Sequence, residues 1–95
     1  GAPERIIRMK TNLLLKTQST PNTPHIDYPD PHIVLLYYVN DSSGSTTFYN
    51  RKFKIKKEVM PKKGRMLIFD GSIYHSSTPP TTNDYRCVIN FDLKS

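Results

Sequence analysis

The chain has 95 residues and a mass of 11.0 kDa, the size of one small domain. Its single cysteine, Cys87, excludes an internal disulfide framework and a zinc site built on paired cysteines, so the fold must rely on its apolar core. The net charge of +6 favours an acidic partner, and no apolar run approaches the roughly 20 residues that span a bilayer. An unpaired cysteine fits a reducing compartment, and we expect a cytoplasmic protein.

The chain opens on Gly-Ala-Pro rather than Met, so we expect a piece excised from a longer protein. We interpret residues 1–95 as one domain in which residues 1–4 lie outside the ordered core.

The predicted elements are strands. In chain order, the segments rich in β-branched and aromatic residues cover residues 5–17, 32–40, 46–50, 52–59, 65–70, 73–77 and 85–93. Turns with glycine, proline or asparagine separate them. No stretch shows the 3.6-residue apolar period of a helix. Seven or eight short strands predict an all-β sandwich or jelly roll with few or no helices.

The basic residues concentrate in residues 50–65, where lysines alternate with apolar residues. This period of two predicts a strand with one face in water and one in the core. We interpret the lysine face as a solvated face that protects a sheet edge, with a docking surface for an acidic peptide or a nucleic acid as the alternative. The outward residues are Lys52, Lys54 and Lys56, and the core residues are Phe53, Ile55, Leu67 and Phe69.

A candidate metal site begins in the proline-rich loop before the second strand. His25 and Asp27 are two residues apart, so in extended backbone their side chains project to the same side. A third ligand must come from His32 or His75, and His75 lies on a late strand that a jelly roll brings beside early ones. Two histidines and one carboxylate on one face of an ion form the triad typical of non-haem Fe(II) oxygenases. The alternatives are ordinary turn polarity for the first pair and, for His32, an ordinary strand residue.

Arg86 adds an anion-binding group to this pattern. It lies near the start of the last predicted strand, where it shares a face with Val88 and Asn90. Arginine is the natural bidentate partner of a carboxylate. Near the metal, it could hold the far carboxylate of 2-oxoglutarate while the 2-oxo acid end chelates the ion.

These segments together resemble the Fe(II)- and 2-oxoglutarate-dependent dioxygenases, and within them the prolyl 4-hydroxylase branch. The resemblance runs from about Arg5 to Leu93. Ser43 departs from it by replacing the first glycine of a turn, and Asp92 stands where the nucleic-acid dealkylase branch would have a second arginine. The segments that carry it are "HIDYP", "LLYYVND" followed by "SGSTTFY", and "PKKGRMLIFDGSIYHSS".

The resemblance implies a double-stranded β-helix and a set of roles for the site residues. Fe(II) would be held by His25, Asp27 and His75. Arg86 would bind 2-oxoglutarate, with Tyr38 assisting it, and Asn90 would hydrogen-bond a water or ligand in the site. O2 is the further reactant, and ascorbate is an accessory reductant that the resemblance admits.

The implied reaction hydroxylates an unactivated C–H bond and releases succinate and CO2. On the branch resemblance, we expect the substrate to be a prolyl residue of a protein or peptide. We expect a monomer that binds neither nucleic acid nor a membrane.

Two other classes of protein remain as alternatives. A non-catalytic jelly-roll binding module needs no metal, and it would have no reason to keep all three ligands together with Arg86. A cupin-type metal enzyme requires an HxH pair with a nearby glutamate. No glutamate lies between Glu4 and Glu58, so the sequence does not match that pattern.

Overall fold

The computed structural model describes residues 6–17, 23–27 and 29–94 of the chain. Every regular element in these ranges is a strand, so the prediction of an all-β fold is confirmed. Within the same ranges there is no helix long and apolar enough to cross a membrane. The expectation for residues 1–4 falls outside the described residues.

The strands form two antiparallel sheets. The four-stranded sheet has the order β1–β7–β2–β5, and the three-stranded sheet has the order β4–β3–β6. The chain crosses repeatedly between the sheets, as in the double-stranded β-helix that the sequence predicts. The strands are β1 (Ile6–Leu15), β2 (His32–Tyr38), β3 (Thr46–Tyr49), β4 (Ile55–Val59), β5 (Met66–Asp70), β6 (His75–Ser77) and β7 (Tyr85–Lys94).

The core lies on the inner face of the four-stranded sheet. Alternate residues of β2 are buried there, because successive side chains of a strand point to opposite faces. Leu67 and Phe69 of β5 pack against this cluster, as predicted. Full burial of one such side chain contributes roughly 1.5–3 kcal/mol. The buried cluster consists of Val34, Leu36, Tyr38 and Val88.

The prediction that Phe53 and Ile55 enter the core is wrong, since they are 54% and 63% exposed. The strand predicted for residues 52–59 begins only at Ile55. Before it, the Asn50 side chain accepts hydrogen bonds from the amides of Lys52 and Lys54, and Phe53 has a φ of 60°. A turn therefore replaces the start of the strand, and a register irregularity beside Tyr49 breaks the alternation. The predicted exposure of Lys52, Lys54 and Lys56 is confirmed.

Candidate metal centre

His25 and His75 are brought together by the backbone. The two residues form an isolated antiparallel bridge, in which the amide of each donates to the carbonyl of the other at 2.9 and 3.0 Å. Their ring centroids are consequently 4.6 Å apart. His75 is the first residue of β6, so this bridge places the loop histidine beside the three-stranded sheet.

Asp27 is the third member of the cluster, and its carboxylate lies close to both imidazoles. One carboxylate oxygen lies 3.2 Å from Nε2 of His25, and the other lies 3.6 Å from Nε2 of His75. One ligand atom from each of the three residues lies within 4.8 Å of the others. That spread is close to what one ion allows at ligand distances of about 2 Å. The sequence-predicted triad is therefore assembled in space.

The hydrogen bonds of the two imidazoles fix which nitrogen is available to a metal. Nδ1 of His25 donates to the Thr23 carbonyl at 3.2 Å, and Nδ1 of His75 donates to the Ile73 carbonyl at 3.1 Å. Since a carbonyl only accepts, the hydrogen of each neutral ring resides on Nδ1 and a lone pair on Nε2. Two lone pairs and a carboxylate then converge, and a cation between them satisfies all three. The donor set thus fits a divalent metal.

The electrostatics of the cluster also favour an ionised carboxylate. Burial on its own raises the pKa of Asp27. Without a metal, His25 and His75 can donate to this carboxylate when their rings are protonated on Nε2, and together with the Asn90 amide they hold its pKa well below the usual range. The Asn90 side-chain amide donates to Asp27 at 3.1 Å. Asp27 in turn raises the pKa of His25, against an opposing effect of burial. Asn90 therefore contacts a candidate ligand residue and orients its carboxylate.

One side of the cluster is closed and the other is open. The His75 side chain is only 5% exposed, whereas that of His25 is 49% exposed. Phe69 packs edge-on against His75 with ring centroids 5.0 Å apart, and Phe48 packs edge-on against Phe69 at 4.8 Å. Aromatic rings thus exclude water behind His75, and ligands can approach from the side of His25.

Arg86 is almost completely buried, with 1% of its surface exposed. Its Nε donates to the Gly44 carbonyl at 2.9 Å, and one terminal nitrogen donates to Oγ1 of Thr46 at 2.6 Å. Every ion pair within the described ranges involves a histidine, so no carboxylate there neutralises this guanidinium. Burial accordingly lowers the pKa of Arg86. A buried cation of this kind favours an anionic ligand.

Tyr38 lies behind Arg86. The guanidinium carbon is 5.8 Å from the centre of the Tyr38 ring, and the hydroxyl of Tyr38 is hydrogen-bonded to Oγ1 of Thr46 at 2.6 Å. Burial raises the pKa of this hydroxyl. Tyr38 therefore supports Arg86 through Thr46. Its role in assisting a bound ligand stays a prediction.

A cavity of about 70 Å³ joins the triad to Arg86. Lys10 and Asn12 of β1 also line it, and sequence reasoning missed both. They are the register partners of Asn90 and Val88 on β7, which places them on the same inner face. The polar alternation of β1 is a signal that could have identified them, once the pairing of β1 with β7 was known. The other lining residues are His25, Asp27, Leu36, His75, Ser77, Arg86, Val88 and Asn90.

Gly44 is required by the close packing around Arg86. A Cβ at this position would lie 2.1 Å from the Thr78 carbonyl oxygen and 3.1 Å from Cδ of Arg86. Only glycine leaves room for both contacts. The single glycine of the segment "SGST" therefore shapes the arginine end of the cavity.

His32 lies outside the cluster, in agreement with its interpretation as a strand residue. It is buried, and its Nδ1 donates to the Asp30 carbonyl at 2.8 Å. Its Nε2 is 3.9 Å from a carboxylate oxygen of Asp92. A Cβ on Gly71 would approach this ring to 2.3 Å, so His32 fills tightly packed space.

Comparison with known protein families gives a match over most of the chain. The model of the family described as "2OG-Fe(II) oxygenase superfamily" matches residues 12–92, which include all three members of the triad and Arg86. No curated protein matches the chain.

Proposed function

The chain belongs to the 2OG-Fe(II) oxygenase superfamily, and from that premise we propose that it hydroxylates a prolyl residue of a protein or peptide. Membership implies a dioxygenase-type reaction that uses Fe(II), 2-oxoglutarate and O2. The prolyl substrate and the role of each site residue are the parts that we propose.

The observation that carries the proposal is the placement of Arg86 and the triad on one cavity. The triad offers two imidazole nitrogens and a carboxylate to one ion. At the other end lies a buried guanidinium for which the described residues supply no carboxylate. A small dicarboxylic acid that chelates a metal at one end and has a free carboxylate at the other satisfies both ends.

We assign a role to each residue of the site. His25, Asp27 and His75 hold Fe(II), and Asn90 orients the Asp27 carboxylate by donating to it. Arg86 binds the distal carboxylate through N–H groups that Gly44 and Thr46 do not use. Phe48 and Phe69 exclude water behind the metal. When bound, iron and 2-oxoglutarate supply the oxidative chemistry that couples the release of succinate and CO2 to hydroxylation of a C–H bond.

A peptide substrate is supported by two features of the sequence. The ordered segments from "HIDYP" to "IYHSS" resemble the prolyl 4-hydroxylase branch. Asp92 stands where the nucleic-acid dealkylase branch has a second arginine, and its buried carboxylate, 3.9 Å from Nε2 of His32, cannot supply the positive charge of that arginine. We therefore propose a peptide as the substrate and exclude a nucleic acid from the proposal.

The test is succinate release by the Fe(II)-loaded protein with 2-oxoglutarate, in the presence of proline-containing peptides. Each peptide is paired with a version in which alanine replaces every proline, and each reaction is run with and without ascorbate. We expect release to rise only with the proline-containing member of a pair, together with a mass gain of one oxygen on that peptide. Stimulation by both members of every pair would reject the prolyl substrate, and the absence of 2-oxoglutarate turnover with any peptide would reject the enzymatic role.

A further inference from the structure

A second cavity, of about 220 Å³, lies between the two sheets at their β4 and β5 sides. We call it the β4–β5 groove. β4 is an outer strand of the three-stranded sheet, and β5 is an outer strand of the four-stranded sheet. Among the described strands each has a neighbour on one side only, so both present backbone N–H and C=O groups along the groove.

The floor of the groove is apolar and adjoins the metal centre. Phe48, Val59, Leu67 and Phe69 line it. The Phe69 ring also contacts the ring of His75, with centroids 5.0 Å apart. One aromatic ring therefore separates an occupant of the groove from a candidate metal ligand.

The rim of the groove is positively charged. Lys56 and Lys57 both border it. Consecutive residues of a regular strand point to opposite faces, but here the pairing of β3 with β4 passes from Lys57 directly to Ile55 and skips Lys56. Both lysines are exposed, and within the described ranges neither forms an ion pair. The one acidic residue of β4, Glu58, accepts a hydrogen bond from Thr47 at 3.5 Å. The rim therefore offers two cations that have no ion-pair partner among the described residues, beside an apolar floor.

This combination matches a peptide better than a nucleic acid. An extended peptide can pair with an exposed strand edge through its main chain, and its alternate side chains then enter the groove. A nucleic acid presents phosphates and flat bases, for which a groove needs basic side chains and exposed aromatic rings. Here the aromatic rings form a floor in which Phe48 is 9% exposed, so they suit an inserted aliphatic side chain.

We propose that the β4–β5 groove binds an extended acidic peptide segment, with an aliphatic side chain on its floor and carboxylates beside Lys56 and Lys57. The inference rests on the proposed function in one respect, since it identifies this segment as the part of the substrate that flanks the hydroxylated residue. It adds a substrate class to that function: peptides in which acidic and aliphatic residues alternate near a proline.

Binding is tested by fluorescence polarisation with a labelled peptide in which glutamate alternates with leucine beside one proline. We compare Lys56→Glu/Lys57→Glu with Lys62→Glu/Lys63→Glu, a pair with the same charge change in the same basic segment but outside the groove. Reversing two rim charges is expected to weaken binding about tenfold in the first variant, and the second should stay close to the starting protein. Affinity should also fall as salt is raised. Equal losses in both variants would overturn the proposal, because they would mean attraction to net charge alone.

The peptide itself supplies the second comparison and requires no change in the protein. Replacing its leucines with serine should weaken binding about tenfold, because the floor then loses an aliphatic partner. Replacing its glutamates with lysine should abolish binding. A single-stranded oligonucleotide of equal negative charge should bind more weakly than the peptide. Tighter binding of the oligonucleotide, lost in Lys56→Glu/Lys57→Glu, would overturn the proposal in favour of a nucleic acid.

The failure of this inference can be distinguished from failure of the proposed function. Metal binding and 2-oxoglutarate binding do not involve the rim lysines, so both should be unchanged in Lys56→Glu/Lys57→Glu. If the acidic peptide binds through the lysines but does not stimulate succinate release, the docking site stands and its substrate role is rejected. If acidic and basic proline peptides stimulate release equally, the enzyme stands and the groove proposal is overturned.

Discussion

His25 and His75 are 50 residues apart in the chain, yet each donates its backbone amide to the carbonyl of the other. Their separation is thus set by main-chain pairing and not by contacts between the rings. Side-chain hydrogen bonds to Thr23 and Ile73 then fix the orientation of the rings. The protein therefore organises the ligands in advance, and a metal ion would supply the missing positive charge.

Metal binding is expected to stabilise the protein through the triad. A metal that binds only the folded state stabilises it by about 2.7 kcal/mol at a concentration of 100 times Kd. We expect Fe(II), Mn(II) or Co(II) to raise the melting temperature, and His75→Ala to abolish that rise. Thermal unfolding with and without metal, under anaerobic conditions for Fe(II), measures it.

His32→Ala is the control for this prediction. Removing the His32 imidazole leaves a cavity beside Gly71 and Asp92, so the melting temperature without metal should fall. The metal-dependent rise should nevertheless persist, since His32 lies outside the cluster. If His32→Ala eliminates the rise as His75→Ala does, the assignment of the triad is wrong.

Arg86 is expected to control the affinity for 2-oxoglutarate and not that for metal. Removing one partner of a buried ion pair costs roughly 3–5 kcal/mol, which corresponds to about two to four orders of magnitude in affinity. Arg86→Ala should show this loss when 2-oxoglutarate is titrated calorimetrically into the metal-loaded protein. Arg86→Lys should recover only part of the affinity, because an ammonium group lacks the planar fork. Unchanged affinity in Arg86→Ala would mean that the cosubstrate is held elsewhere.

The packing of Gly44 against Arg86 leads to a paired glycine experiment. In Gly44→Ala, the new methyl group meets the Thr78 carbonyl and the Arg86 side chain, so we expect a loss of about 1–3 kcal/mol of stability together with weaker 2-oxoglutarate binding. In Gly64→Ala, no atom lies within 4 Å of the new group, but a φ of +84° costs an L-residue roughly 1–2 kcal/mol. Both variants should be less stable in denaturant, and only Gly44→Ala should bind 2-oxoglutarate more weakly. If the two variants bind 2-oxoglutarate equally well, a shift of the Arg86 side chain does not affect cosubstrate binding.

Asn90 is expected to tune the metal ligand that it contacts. Loss of a hydrogen-bond partner of a metal ligand typically lowers metal affinity 10–100-fold. We expect such a loss in Asn90→Ala, because Asp27 then lacks a donor that holds its carboxylate. Asn12→Ala removes the same amide from the same cavity without touching Asp27, so its metal affinity should change little. Competition with a chromogenic chelator measures both, and equal affinities would reject the orienting role of Asn90.

The strands were predictable because their residue patterns report directly on burial. β2 is apolar almost throughout and buries every second residue, and in β7 the two-residue period correctly places Arg86, Val88 and Asn90 on one face. Lysine also alternates with apolar residues between Lys52 and Lys56, but this part of the chain is not a strand until Ile55. There the Asn50 side chain hydrogen-bonds two following amides and forms a turn, a local interaction that a period of two does not reveal.

The metal ligands were also predictable, since an HxD pair and a distal histidine are chemically distinctive. The residues around them were not. The contact of Asn90 with Asp27 depends on how the loop folds over β7, and the presence of Lys10 in the cavity depends on the register of β1 against β7. Both are consequences of long-range pairing. Residues that lie far apart in sequence carry no local signal of such pairing.

Arg86 belongs to the four-stranded sheet, and Thr46, to which it donates a hydrogen bond, belongs to the three-stranded sheet. The same guanidinium thus fastens the two sheets together at the end where it would hold a carboxylate. Any transient separation of the sheets at that end must break this bond and open the anion site at the same moment. Cosubstrate binding should therefore slow the local opening, and amide hydrogen exchange in β3 and the start of β7 should decrease on addition of 2-oxoglutarate even where no amide touches it.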